Sequence, residues 1–136
     1  MARVQSTYNR AYLVEKFVDL AATSGTTEGI EVGAGTLVLA AGFEPSEDVP
    51  DVTAYSLDVT DGTTVFANDL DFDDTAAGTI LVGTTAGLVT ADDTIDVVTT
   101  ITGSPGVISG RVFAVVVDVN NQVAGEATEV DRDQLA

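Results

Sequence analysis

The chain has 136 residues and a formal net charge of −17 at pH 7, from five Lys plus Arg against 22 Asp plus Glu. It contains neither cysteine nor histidine, which removes disulfides, thiolate metal sites, cysteine nucleophiles, the commonest general base and the usual partner of a nucleophilic serine. A single domain with an unstapled core is expected at this length, and a body this acidic repels nucleic acid phosphate and anionic membrane.

The charge is lopsided along the chain. Arg3, Arg10 and Lys16 fall in the first sixteen residues, where Glu15 is the sole acid. Two readings follow: adaptation to a saline medium, or a basic arm that docks on something acidic while the body faces solvent. No export segment is expected, because Arg10, Glu15 and Lys16 interrupt the apolar residues near the start. No apolar run approaches the roughly 20 residues of a spanning helix.

Valine, threonine and regularly spaced glycine predict many short strands joined by turns. In chain order, residues 1–16 are expected to be an extended arm. "YLVEKFVDLAA" from Tyr12 fits either an amphipathic helix or a first strand, and its Val and Phe favour the strand. "GTLVLAAG" (Gly35 to Gly42) and "GTILVG" (Gly78 to Gly83) read as short buried strands framed by glycine. "TAYSLDV" places Tyr55, Leu57 and Val59 on one face, an Asp61-Gly62 turn suits positive φ, and "TVFANDL" is the return strand.

"TIDVVTTIT" alternates, with Ile95, Val97, Thr99 and Ile101 sharing one side. After "GSPG" comes "VISGRVFAVVVDV", whose last part is apolar on both faces, as in a central strand covered on two sides. Together these two segments predict a hairpin at the heart of a sandwich. "VFAVVV" is also the run most prone to edge pairing, with Arg111 and Asp118 as flanking gatekeepers. An isolated arginine in an acidic body could instead serve an interface ion pair. The expected architecture is all-β: a compact, jelly-roll-like β-sandwich over residues 17–123, with the arm before it and a loose acidic tail over residues 124–136.

Two acid runs were candidates for chemistry. In "NDLDFDD", Asp69, Asp71 and Asp73 fit the first three ligand positions of a helix–loop–helix calcium loop. Asp74 stands where glycine is required and Ile80 where the bidentate glutamate is required, so the pattern fails. Alternation accounts for the run instead, with Leu70 and Phe72 inward and the acids on the wet side. In "TADDTID", Asp92 and Asp93 read as turn carboxylates bonded to nearby amides. Paired carboxylates could cleave glycosides, but that work calls for a sugar-binding cleft with aromatic platforms, and the chain has no tryptophan. "GAGTLVLAAG" lacks the helix of a dinucleotide fingerprint, and "GTTAG" lacks the lysine of a phosphate loop. No catalytic, cofactor-binding or metal-binding residue is expected, and no cofactor.

"IEVGAGTLVLAAGFEP" (Ile30 to Pro45) and "TADDTIDVVTTITGSPGVISGRVFAVVVDV" (Thr90 to Val119) resemble segments of small tailed-phage capsid decoration or cement proteins. The likeness covers about a third of the chain, and Gly33 stands where that family usually has proline. The resemblance implies a virion protein on the outer capsid surface, with the major capsid protein and itself as partners, as a homotrimer, and with no nucleic acid or membrane. For the capsid contact, Arg3 and Arg10 would pair with acids, Tyr8, Tyr12 and Leu13 would supply anchors, and Lys16 would complete the arm. The competing expectation is a head-fibre or tail attachment module whose loops touch a receptor or glycan.

Overall fold

The computed structural model describes residues 10–119. Nine strands follow in order: β1 (Tyr12–Leu20), β2 (Gly25–Val32), β3 (Thr36–Pro45), β4 (Ala54–Thr60), β5 (Val65–Asp71), β6 (Leu81–Val82), β7 (Gly87–Leu88), β8 (Asp93–Thr102) and β9 (Ile108–Asp118). All pairings are antiparallel and nested. β4 pairs with β5 innermost, β3 with β6 and β7 around them, β2 with β8 next, and β1 with β9 outermost. Folding that nested hairpin over itself yields two sheets, β1-β9-β3-β6 and β2-β8-β4-β5, the first completed by the β3–β9 pairing and the second by the β4–β8 pairing. This strand order is a jelly roll.

The core lies between the sheets and follows the period-2 pattern of each strand. Tyr55, Leu57 and Val59 from β4 and Ile95 and Val97 from β8 are essentially fully buried against Val38, Ala41 and Phe43 from β3 and Val112 and Ala114 from β9. Three rings form an edge-to-face chain: Phe43 to Phe72 at 5.5 Å and Phe72 to Tyr55 at 4.8 Å. Small residues make room for the rings between neighbouring strands. At Gly110, an added Cβ would lie 2.7 Å from the Phe43 ring.

The β4–β5 hairpin forms as expected. Gly62 takes φ +92, and the Asp61 carboxylate accepts from the amides of Thr63 and Thr64 at 2.9 and 2.7 Å. Thr60 Oγ1 accepts from the Gly62 amide and donates to the Thr64 carbonyl. The loop thus satisfies its own backbone, which is why Asp61 can be buried.

Several expectations are corrected. β8 and β9 do not form a hairpin; they lie in opposite sheets. A hairpin would set them side by side, leaving both inward faces to find cover elsewhere. The chain instead crosses the sandwich through Gly103 (φ +123), buried Pro105 and Gly106 (φ +80), and the two apolar faces cover each other. "VFAVVV" is not at an edge, because β9 is flanked by β1 and β3 along its length. "GTILVG" contributes only Leu81 and Val82 to a strand, and Ile80 and Val82 are 60% and 49% exposed rather than buried. The boundary drawn after Lys16 falls inside β1. Arg3, Tyr8 and the acidic tail lie outside the described residues.

Candidate docking face

The outward sides of the two sheets differ in kind. On β2-β8-β4-β5, cross-strand register carries Glu31, Thr94, Asp96, Ser56, Thr100, Asp58 and Asp71 to one surface. That surface is polar and acidic. On β1-β9-β3-β6, the residues facing away from the core are Leu13, Glu15 and Phe17 of β1, opposite Val115, Phe113 and Arg111 of β9. Leu37, Ala40, Gly42 and Glu44 of β3 continue the row on the far side of β9. That surface is mostly apolar.

The core cluster confirms the division. Val112, Ala114 and Val116 belong to it, whereas Phe113, Val115, Val117, Leu37 and Leu39 do not. Phe113 is buried all the same, with its ring over bare Gly42, where a Cβ would come within 2.9 Å of its Cζ. Around it, Leu13, Phe17, Leu39, Val82 and Leu88 are 53%, 69%, 41%, 49% and 48% exposed. Leu88 joins the face because it sits directly opposite Leu37. Leu39 joins it because a bulge shifts the register between Val38 and Ala40. Among the described residues no element covers this face.

Charge enters the face at one end only. Arg111 bridges Glu15 on β1 and Glu44 on β3 through separate guanidinium nitrogens. The hydrogen bond to Glu44 first, and that to Glu15 second, push the arginine further above its already high value. Arg111 therefore serves an internal triad, not the isolated interface pair considered from sequence. Beside it, Phe17, Arg111, Glu44, Ser46 and Gly78 line a shallow groove of about 500 Å³.

The arm residues separate by strand alternation. Leu13 lies on the apolar face with Phe17, while Tyr12 and Lys16 take the other side of β1, both exposed. Arg10 is exposed just before the strand. Lys16 shares the inward side with Val14 and Val18, and a charge so placed on an edge strand discourages further pairing. Residues 12–16 are therefore strand, and of the four arm residues among the described ones, Arg10, Tyr12, Leu13 and Lys16, strand register brings only Leu13 to the apolar face.

The acid runs fall at strand ends, with Asp69 and Asp71 in β5, Asp73 and Asp74 in the turn after it, and Asp92 just before β8. The Asp69 amide donates to the Asp58 carboxylate at 2.6 Å, and Asp69 and Asp74 both take positive φ, +56 and +53. A hydrogen bond with Asp71 first, then burial and the charges of Asp71 and Asp51, hold the Asp73 carboxyl above its usual range. Asp92 accepts from the Ala34 amide at 2.9 Å and Asp93 from the Thr94 amide at 2.8 Å. Gly33, where proline was usual, leaves that turn intact: the positive φ falls on Gly35, at +91. Among the described residues no three acids are grouped to hold a metal ion.

No protein-family model and no curated protein matches this chain. Among solved structures, a chain from the cyanophage Pam1 capsid asymmetric unit is similar, with a TM-score of 0.59 and 14% identity. The alignment covers 86% of this chain and 91% of that one. The two folds are therefore alike over nearly their whole lengths, and the two chains are of similar size.

Proposed function

We propose that this chain is a structural protein of a phage particle, a decoration or cement protein that binds the outer head surface as an oligomer and stabilises contacts between capsomers. The observation that carries the reading is the end-to-end fold similarity to a chain of a capsid asymmetric unit. A face of apolar side chains on an otherwise acidic, histidine- and cysteine-free body supports it. Such a surface suits lasting association, and the chain lacks the usual activating side chains of catalysis.

In this reading the basic segment from Ala2 to Lys16 makes the capsid contact. Arg3, Arg10 and Lys16 supply charge for acidic partners, while Tyr8, Tyr12 and Leu13 supply contact area, since arginine and aromatic side chains dominate interface energetics. The acidic sheet then points to solvent, where it keeps neighbouring copies and nucleic acid apart. Deleting residues 2–11 should abolish binding to expanded heads while leaving the circular dichroism and melting of the domain unchanged. A truncated protein that still saturates heads contradicts the arm's role. Copy number separates this reading from a fibre or tail attachment module: decoration requires many copies per particle by quantitative gel densitometry, attachment only a few.

A further inference from the structure

We propose that the apolar outer face of β1-β9-β3 is seated on the same face of a second copy, so that two sandwiches pack sheet to sheet around a two-fold axis. The inference rests on the reading above for its claim that the chain works as an oligomer, and replaces the three-fold arrangement implied by the family resemblance.

β9 sets the problem. Its Val112, Ala114 and Val116 fill the core, yet Phe113, Val115 and Val117 on the opposite side are equally apolar. A strand apolar on both sides is one that is covered on both sides, and the described residues supply only one cover. Phe17, Leu39, Val82 and Leu88 surround that uncovered side at 41–69% exposure, and Leu13 borders it from the arm. They leave on the order of 500 Å² of apolar surface, at the upper end for a monomer. With half-buried Leu37, Val115 and Val117 and a polar rim, the face approaches the roughly 800 Å² that each partner contributes to a stable interface.

Charge selects the occupant. A basic partner would be drawn to the acidic sheet carrying Glu31, Asp58, Asp71 and Asp96, not to a face whose carboxylates are already tied to Arg111. What fits is a flat apolar surface of low charge, and this face is such a surface. Two bodies of net charge −17 repel through every other approach. Pairing here turns both acidic sheets away from each other. A two-fold axis through the Val115–Leu37 region also carries the two Glu15–Arg111–Glu44 triads to opposite ends of the contact, where they form a rim. A patch that contacts itself is isologous and closes at two copies.

Sedimentation equilibrium of the full chain, from about 1 to 100 µM, tests the proposal. The expected species has twice the 13.9 kDa chain mass, and its association tightens between about 0.05 and 0.5 M NaCl as repulsion between the acidic bodies is screened. Phe17→Asp and Leu39→Asp alter exposed positions; each should raise the dimer dissociation constant by about 30-fold or more with unchanged circular dichroism. Val65→Asp, exposed on β5 of the other sheet, should leave it unchanged. A wild-type monomer throughout the range, a trimeric mass, or face variants that still dimerise at wild-type strength would overturn the proposal. Face variants that keep their mass but lose head binding would overturn it too, while leaving the decoration reading standing. A dimer that never binds heads would support the pairing and count against decoration.

Discussion

Tyr55 carries a polar group the fold does not use. The residue is 1% exposed, its ring meets Phe72 edge-on at 4.8 Å, and its hydroxyl has no hydrogen-bond partner among the described residues. A buried donor left unpaired costs about 1–3 kcal/mol, whereas the ring contributes packing that phenylalanine would keep. Tyr55→Phe is therefore expected to stabilise the domain by about 1 kcal/mol at neutral pH, a rise in Tm of roughly 4 °C for a domain of this size. Alkaline pH sharpens the test. Burial pushes the Tyr55 hydroxyl up to about 12 from 10.0. Because the folded value is the higher one, its contribution to stability is complete below pH 10 and is lost as pH rises through about 12. Two pH units correspond to about 2–3 kcal/mol, so the advantage of the phenylalanine variant should widen by that order across the window. Urea denaturation of both proteins at several pH values, with phenolate absorbance followed in parallel, measures this directly. A variant destabilised by about 1 kcal/mol or more at neutral pH would show that the hydroxyl is bonded in the native protein. Equal alkaline losses in the two proteins would refute the assignment of that limb to Tyr55.

Gly42→Ala should destabilise the domain by about 1–3 kcal/mol through overpacking, since its Cβ would fall 2.0 Å from the Leu81 carbonyl and 2.9 Å from Phe113. Tm checks this, and a neutral result would mean that β6 yields freely. Adding EDTA, or calcium at matched ionic strength, should leave Tm unchanged, because no three acids among the described residues are grouped around an ion position. A rise with calcium alone would identify a cation site there.

The strands were legible where alternation or turn chemistry was strong. Tyr55, Leu57 and Val59 announced β4, the Asp61-Gly62 pair announced its hairpin, and Ile95, Val97 and Thr99 announced the inner face of β8. The partnership of β8 and β9 is not legible locally, because a short glycine-rich loop serves a sheet-to-sheet crossing as well as a hairpin, and only tertiary cover distinguishes them. The segment from Gly78 to Gly83 is strand at Leu81 and Val82 alone, because its glycines answer to the close approach of neighbours; a Cβ at Gly83 would lie 2.3 Å from Ala67. The docking face was half visible. The double-sided apolarity of "VFAVVV" indicated a second cover, but Phe17, Leu39 and Leu88 join that face only through register and a bulge. No local pattern encodes those.

The central claim, that this jelly roll works by seating an apolar sheet face on a neighbour within a phage particle, is tested most directly by an electron cryomicroscopy reconstruction of the particle that contains the chain. The account predicts many ordered copies on the outer head, with Phe17, Leu39 and Val115 against protein and Asp58, Asp71 and Asp96 toward solvent. A reconstruction with this face turned to solvent, or with the chain missing from the head, would contradict it.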